Sequence, residues 1–105
     1  MSTASKGRRI EWEVRDLLIA EGYDVGRFAG SKGGTIGPVD LIGLRPVMYG
    51  APYLILASVK CNKWPGREEM RQLARLSIRY PRPGHEVRVY RKRDRKPMEI
   101  RIVGG

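Results

Sequence analysis

Two charged side chains stand out because the residues around them are apolar. Asp40 comes early in the apolar run at 39–45, and Lys60 ends a nearly continuous apolar run that starts at Tyr53. An unpaired carboxylate in such surroundings costs on the order of several kcal/mol unless a partner or a metal ion satisfies it. We therefore interpret Asp40 and Lys60 either as a polar site suited to a metal ion or as a structural salt bridge.

The alternation of side chains along a strand gives this pair a geometry. Leu54, Leu56, Ser58 and Lys60 share one face of a predicted strand, which is apolar at its base and polar at its tip. If this strand pairs with the run at 39–45, Asp40 and Lys60 meet at one polar patch of an apolar sheet.

Hydrophobic periodicity and turn residues predict the elements that position this patch. We expect a helix over 6–21 capped by Ser5, strands over 23–29, 39–45 and 53–61, a second helix over 67–80, and strands over 86–92 and 98–103. The glycine-rich segment 30–38 is expected to be a loop. This order predicts an α/β protein with a central mixed sheet flanked by helices.

An ordered set of short motifs resembles a known group of nucleases. Residues 38–40 (PVD) and 58–60 (SVK) resemble the split carboxylate and acid-X-lysine signature of the PD-(D/E)XK nucleases. More narrowly, residues 6–7 (KG) with Glu11, 27–31 (RFAGS) and 39–42 (VDLI) are similar to the archaeal Holliday-junction resolvases. The resemblance runs from Lys6 to Tyr80. It implies a restriction-endonuclease-like αβββαβ core, in one nuclease domain over residues 1–105.

The resemblance also implies roles in phosphodiester hydrolysis for single residues. Asp40 corresponds to the carboxylate that binds Mg²⁺, with Mn²⁺ as a substitute, and the main-chain carbonyl of Val59 to a further ligand. Glu11 corresponds to the catalytic glutamate on the first helix, which also faces the metal. Lys60 corresponds to the lysine that orients or activates the attacking water, and Ser31 to a serine in a mobile, phosphate-contacting loop.

Two positions leave this assignment open. On a helical wheel, Glu11 and Glu13 flank the apolar stripe about equally, so periodicity does not choose between them, and a solvated flank is the plain alternative for either. Ser58 stands where the family has a carboxylate, and a neutral hydroxyl is a poor ligand for Mg²⁺. The chain is then an inactivated variant, a natural binder without catalysis, or an enzyme in which another acid has moved into place, Glu68 and Glu69 being nearest in sequence.

The charge balance indicates a polyanionic partner. Lys and Arg number 21 against 11 acidic residues, for a formal net charge of +10, and such an excess commonly reflects nucleic-acid binding. The longest apolar run is too short to span a bilayer, so we expect no membrane association. Proximity along the chain to the motifs predicts phosphate contacts from Lys6, Arg8, Arg9, Arg27, Lys32 and Lys63.

The second predicted helix carries a row of arginines every four residues, opposite its apolar stripe. A solvated face is the plain alternative, but a row of one sign costs repulsion, so we favour phosphate binding. The basic segment at 88–96 extends this surface. The row comprises Arg67, Arg71, Arg75 and Arg79, and the stripe Met70, Leu73, Ala74, Ser77 and Tyr80.

The remaining expectations concern location, assembly and function. A single cysteine and a single histidine exclude an internal disulfide and a structural zinc site, which fits a cytoplasmic protein acting on nucleoid or viral DNA. The near two-fold symmetry of a four-way junction favours a homodimer. We expect a metal-dependent, structure-selective endonuclease. The alternatives are a non-catalytic binder of branched DNA or other nucleic acid, and a nuclease for ordinary duplex or single strands.

Overall fold

The computed structural model of the chain describes residues 3–28, 36–47 and 50–104, with the backbone alone for 3–7. The elements follow the predicted order: α1 Thr3–Ala20, β1 Asp24–Arg27, β2 Leu41–Leu44, β3 Leu54–Cys61, α2 Arg67–Arg79, β4 His85–Lys92 and β5 Glu99–Val103. In the described ranges, no helix is long and apolar enough to cross a membrane.

The strands form one mixed sheet in the order β1-β2-β3-β4-β5. β3 and β4 are parallel and are joined through α2, whereas the other neighbours are antiparallel. β3 lies at the centre, as its nearly continuous apolar sequence predicts, because a strand covered on both faces has little use for polar side chains.

The two helices pack on opposite faces of this sheet. Side chains of β3 alternate, so Ile55 and Ala57 contact α1 while Leu56 contacts α2. We call these the α1 face and the α2 face. The buried core of the α1 face is Val14, Leu18, Tyr23, Leu41, Ile55, Ala57 and Tyr90. That of the α2 face is Val39, Leu56, Leu73, Leu76, Val87, Val89 and Val103.

The helices differ from the sequence-based expectation in two details. α1 begins at Thr3, so Ser5 lies inside the helix and the prediction that it is the N-cap is wrong. On α2 the predicted stripe is rotated, because Leu73 and Leu76 are the buried residues and Ala74 is exposed. Burying the larger Leu76 removes more apolar area from water than burying Ala74 would.

The connections bring several element ends to one edge of the sheet. Arg27 at the end of β1 pairs with Leu41 at the start of β2, and Leu41 pairs with Ala57 near the end of β3. The ends of β3 and β4 then lie side by side, with Cys61 opposite Lys92. We call this the site edge. It lies beside the start of α2, which follows β3 along the chain.

Candidate active site

Asp40 is held firmly at the site edge, immediately before β2. Its backbone N–H donates to the Ala57 carbonyl at 2.8 Å, and its own carbonyl accepts from the Phe28 N–H at 2.9 Å. Its carboxylate Oδ2 accepts a hydrogen bond from the Val59 N–H at 2.7 Å. Because backbone groups on both sides fix the residue, the carboxylate has a defined position with one oxygen left for other contacts.

Glu11 approaches Asp40 from α1 and is paired with an arginine. Its Oε2 accepts from the Arg27 Nε at 2.8 Å, and its side chain is only 17% exposed. Arg27 belongs to the last position of β1, so the pair joins the middle of α1 to the site edge. Glu13 is exposed. The structure thus places Glu11, the residue named by the resemblance, at the site. Helical periodicity alone did not choose between Glu11 and Glu13.

Lys60 lies at the end of β3 and pairs with Glu69, a residue of the first turn of α2. Within the described ranges, its ion pair is with that glutamate rather than with Asp40, so the alternative of a direct Asp40–Lys60 salt bridge is wrong. Asp40 and Lys60 still interact electrostatically, because Lys60 lowers the pKa of the Asp40 carboxyl. Glu69 reaches this position because it precedes the buried Leu73 by one helical turn.

Ser58 occupies the place on β3 between Leu56 and Lys60, on the α2 face. It is fully buried, and its Oγ meets no hydrogen-bond partner among the described residues. A buried hydroxyl without a partner costs roughly 1–3 kcal/mol. The neighbouring Glu69 Oε2 is also buried, and it lacks a well-aligned hydrogen bond in the described part of the chain despite its contact with Lys60.

The electrostatics of this group are unbalanced towards negative charge. We call Glu11, Asp40 and Glu69, with Arg27 and Lys60, the carboxylate cluster. Burial raises the pKa of Asp40 above its ordinary value, and the charges of Glu11 and Glu69 raise it further. The Val59 hydrogen bond and Lys60 oppose this rise without cancelling it.

The carboxylate cluster fits a divalent cation in chemistry, although its carboxylates are turned to other partners. Over the described ranges, no three side chains of His, Cys, Asp or Glu already stand together as a ligand set. Glu11 and Glu69 each contact a basic side chain instead. Oxygen ligands with excess negative charge are what Mg²⁺ prefers, and a cation here would offset the repulsion that raises the pKa of Asp40.

The predicted phosphate-binding residues fall into three groups. Arg8, Arg9, Lys63, Arg67 and Arg71 are exposed. Arg27 is half exposed and holds Glu11. Lys6 belongs to α1 with its side chain outside the described residues, and Ser31 and Lys32 fall outside them altogether.

The basic segment at 88–96 is only partly a surface. The Arg88 side chain is 11% exposed and pairs with Glu86 and Glu21, so the prediction that it extends a phosphate-binding surface is wrong. Sequence analysis also missed Arg101, whose guanidinium lies 4.1 Å from the centroid of the Trp64 ring, while that of Arg91 lies 4.3 Å from it. Arg101 follows β4 by a hairpin, so only the sheet register brings it to Trp64.

Comparison with known proteins finds similarity among solved structures. Neither a scan against protein-family models nor a search of curated proteins finds a match. Among solved structures, the chain is similar to Hjc, a Holliday junction resolvase from the archaeal hyperthermophile Archaeoglobus fulgidus, determined at 1.6 Å resolution. The TM-score is 0.64 at 22% sequence identity, over 93% of this chain and 73% of that chain. The predicted fold class is therefore confirmed: the chain has an α/β fold like that of Hjc, with a mixed five-stranded sheet between two helices.

Proposed function

We propose that this chain is a metal-dependent, structure-selective endonuclease that hydrolyses phosphodiester bonds near the branch of four-way DNA, as a Holliday-junction resolvase does. The observation that carries the proposal is the fixed Asp40 carboxylate beside Glu11 and Lys60, on a fold similar to that of Hjc. A partly buried carboxylate whose pKa is raised by burial, as that of Asp40 is, is a common sign of a functional site.

Four residues of the carboxylate cluster, and the main chain of Val59, have a part in this proposal. Asp40, Glu11 and the main-chain carbonyl of Val59 would hold Mg²⁺, with Mn²⁺ as a substitute. The bound ion supplies positive charge that polarises the phosphoryl oxygen and lowers the pKa of water. Lys60 orients the attacking water and offsets the negative charge that develops on the phosphate. Arg27 holds Glu11 in position through its Nε.

The DNA-binding part of the proposal is supported by the net charge of +10 and by exposed basic side chains around the site edge. Arg8 and Arg9 lie one turn or less before Glu11 on α1, and Lys63 and Arg67 lie between Lys60 and Glu69 along the chain. We propose that they contact backbone phosphates, together with Arg71, Lys6, Lys32 and Ser31. Binding should therefore weaken steeply with salt, because each phosphate contact releases counterions.

We also propose that the chain acts as a homodimer, since two sites on opposed strands match the symmetry of the junction. Exposed apolar side chains support an interface. Ile100 and Ile102 of β5 pair with Tyr90 and Arg88, so they belong to the α1 face, and they are 52% and 43% exposed. Leu17 of α1 is 41% exposed and lines one hollow with Met98.

A second candidate is a non-catalytic protein that binds branched DNA. The buried Ser58 favours it, because this neutral hydroxyl replaces the carboxylate that the resemblance predicts. Both candidates bind DNA in a salt-dependent way, so binding alone does not separate them. They differ in whether Asp40 must hold a metal ion.

The test compares the chain with its Asp40→Asn and Ser58→Glu variants on a labelled four-way junction and a matched linear duplex. Each reaction is run in Mg²⁺ and in EDTA, and products are mapped at nucleotide resolution. We expect tight junction binding by all variants and metal-dependent nicks near the branch for the unmodified chain. Asp40→Asn should reduce cleavage at least about hundredfold, since it removes a metal ligand.

Three outcomes discriminate between the candidates. Paired nicks near the branch that disappear with Asp40→Asn support the resolvase. Junction binding in EDTA without cleavage by the chain or by Ser58→Glu supports the non-catalytic binder. Equal cleavage of the linear duplex would show a nuclease without structural selectivity, and would contradict the proposed substrate.

A further inference from the structure

One carboxylate at the site edge has no counterpart in the motif that the sequence resembles. Glu69 belongs to the first turn of α2, yet it shares a helix face with the buried Leu73 and Leu76. It therefore points to the sheet, where it contacts Lys60 of β3. Its neighbour Glu68 has a 70% exposed side chain and pairs with Arg71 at the surface, 3.6 Å away.

Glu69 reaches the face of β3 that carries Ser58, because it contacts Lys60 two residues further along the strand. Ser58 shares the α2 face with Lys60, and its hydroxyl is fully buried with no hydrogen-bond partner in the described part of the chain. The Glu69 Oε2 is buried too. The charge of Glu69 also acts on the Asp40 carboxyl, whose pKa burial raises first and the Glu69 charge raises further. Glu69 thus brings a carboxylate from α2 to the end of β3, where the strand has no acidic residue of its own.

We propose that Glu69 supplies the metal-binding carboxylate that Ser58 does not, so that Asp40 and Glu69 hold one divalent cation between β2 and α2. In the metal-free protein Lys60 forms an ion pair with the Glu69 carboxylate, and this pair opens when the metal ion binds. The catalytic consequence rests on the function proposed above, whereas metal binding itself is testable without DNA.

A purely structural role for Glu69 makes different predictions. Acidic residues in the first turn of a helix are stabilised by its dipole, and Glu68 and Glu69 share this benefit equally. An ion pair with Lys60 would likewise stabilise the fold without any metal. If Glu69 had only one of these structural roles, its removal would not change the affinity of the chain for Mn²⁺. A carboxylate at position 58 would then not compensate for the loss of Glu69.

The experiment measures Mn²⁺ affinity of the full chain without DNA, by titration calorimetry and by electron paramagnetic resonance of free Mn²⁺. The variants are Glu69→Gln, the matched control Glu68→Gln, Lys60→Met, and Glu69→Gln combined with Ser58→Glu. We expect Glu69→Gln to weaken binding about tenfold or more and Glu68→Gln to change it less than about twofold. The combined variant should recover most of the loss, and Lys60→Met should bind Mn²⁺ several-fold more tightly because a competing cation is gone.

The proposal is overturned if Glu69→Gln binds Mn²⁺ as the unmodified chain does, if Glu68→Gln loses as much, or if the unmodified chain binds no Mn²⁺. Lys60→Met retains Glu69, so its affinity reports on the site even if Glu69→Gln does not fold. Failure of the proposed function looks different: Glu69-dependent Mn²⁺ binding would persist while four-way DNA is neither bound nor cut. Conversely, the unmodified chain could cleave the junction while Glu69→Gln binds Mn²⁺ as tightly as the unmodified chain does. That result would reject the role of Glu69 as a metal ligand and leave the proposed function standing.

Discussion

Two clusters of charged side chains lie against the same sheet, and they differ in how completely their members are paired. On the α1 face, Arg88 donates to Glu86, to Tyr90 at 2.9 Å and to Glu21 at 3.1 Å. Burial alone would lower the pKa of this arginine, but its hydrogen bonds to Tyr90 and Glu86 raise it overall. We call these residues the Arg88 cluster. It keeps its charge because each buried group has a partner.

The carboxylate cluster at the site edge is satisfied much less well. Burial and the charges of Glu11 and Glu69 raise the pKa of Asp40, and the Ser58 hydroxyl beside them is buried without a partner in the described residues. The same small sheet therefore carries one cluster whose buried polar atoms have hydrogen-bond partners and another where the Ser58 hydroxyl and the Glu69 Oε2 lack one among the described residues. Unsatisfied buried polar groups of this kind are typical of sites that bind a ligand.

The largest change in the free energy of unfolding is expected from removing Arg88 from the Arg88 cluster. Arg88→Met removes the close ion pair of the buried Glu86 carboxylate and leaves the longer one to Arg82, whose Nε is 3.8 Å away. Removing one partner of a buried ion pair is costly, so we expect the free energy of unfolding to fall by about 3 kcal/mol. Urea denaturation followed by circular dichroism measures this change.

An exposed ion pair gives the control for that prediction. Arg15 pairs with Asp16 at 3.0 Å, with side chains 45% and 67% exposed. Arg15→Met should alter the free energy of unfolding by less than about 1 kcal/mol. Equal losses from both variants would mean that Arg88 is no more important than a surface residue, and the comparison between the two clusters would fail.

A smaller change in the free energy of unfolding, of opposite sign, is expected at Ser58, beside the carboxylate cluster. Ser58→Ala removes a buried hydroxyl that lacks a partner, so the free energy of unfolding should rise by about 1 kcal/mol. Ser77→Ala is the matched control, because the Ser77 hydroxyl donates to the Ala74 carbonyl at 2.6 Å. There the lost hydrogen bond offsets the better helix propensity of alanine, and the change should stay within about 0.5 kcal/mol. A destabilising Ser58→Ala would indicate that the hydroxyl does have a partner.

The predictability of the two clusters from sequence differs for a physical reason. Asp40 and Lys60 were expected near each other because strand alternation and neighbouring strands are local, regular patterns. Arg88 has local partners in Glu86 and Tyr90, but its third partner, Glu21, follows the end of α1 far away along the chain, and no periodicity links these two residues. The basic segment at 88–96 therefore looked uniform in sequence, while the fold buries one member and exposes others.

The contact between Glu69 and Lys60 is the part of the site that the sequence pattern did not predict. Its proximity to Lys60 depends on the rotation of α2, which is set by whether Ala74 or Leu76 faces the core. The spacing of Glu69, Leu73 and Leu76 was a usable signal, because it follows one helix face as well as the predicted stripe does. Choosing between these stripes requires the shape of the sheet surface, which a single sequence does not contain.

The sharpest test of the carboxylate cluster is the pH dependence of Asp40→Asn in EDTA. The pKa of Asp40 is raised in the folded protein above its ordinary value of 3.8, so between the two values the folded state binds more protons than the unfolded state. The stability contributed by protonated Asp40 is present below pH 3.8 and is lost as the pH rises through the raised pKa. Asparagine stays neutral throughout. The melting temperature of the variant should therefore exceed that of the unmodified chain by a margin that grows as the pH rises from 3.8 through the raised pKa.

Asp16→Asn is the surface control for the same charge removal, since the Asp16 side chain is 67% exposed and pairs with Arg15. A margin that shrinks with pH would mean that the Asp40 carboxylate is stabilised in its charged form, as a structural ion pair would be. A growing margin would show that the fold holds a negative charge at Asp40 at the expense of its own stability. Saturating Mn²⁺ should then stabilise the unmodified chain more than Asp40→Asn, because the variant lacks one of the carboxylates that attract the ion. The residue that destabilises the metal-free fold would thus be the one through which a metal ion stabilises it.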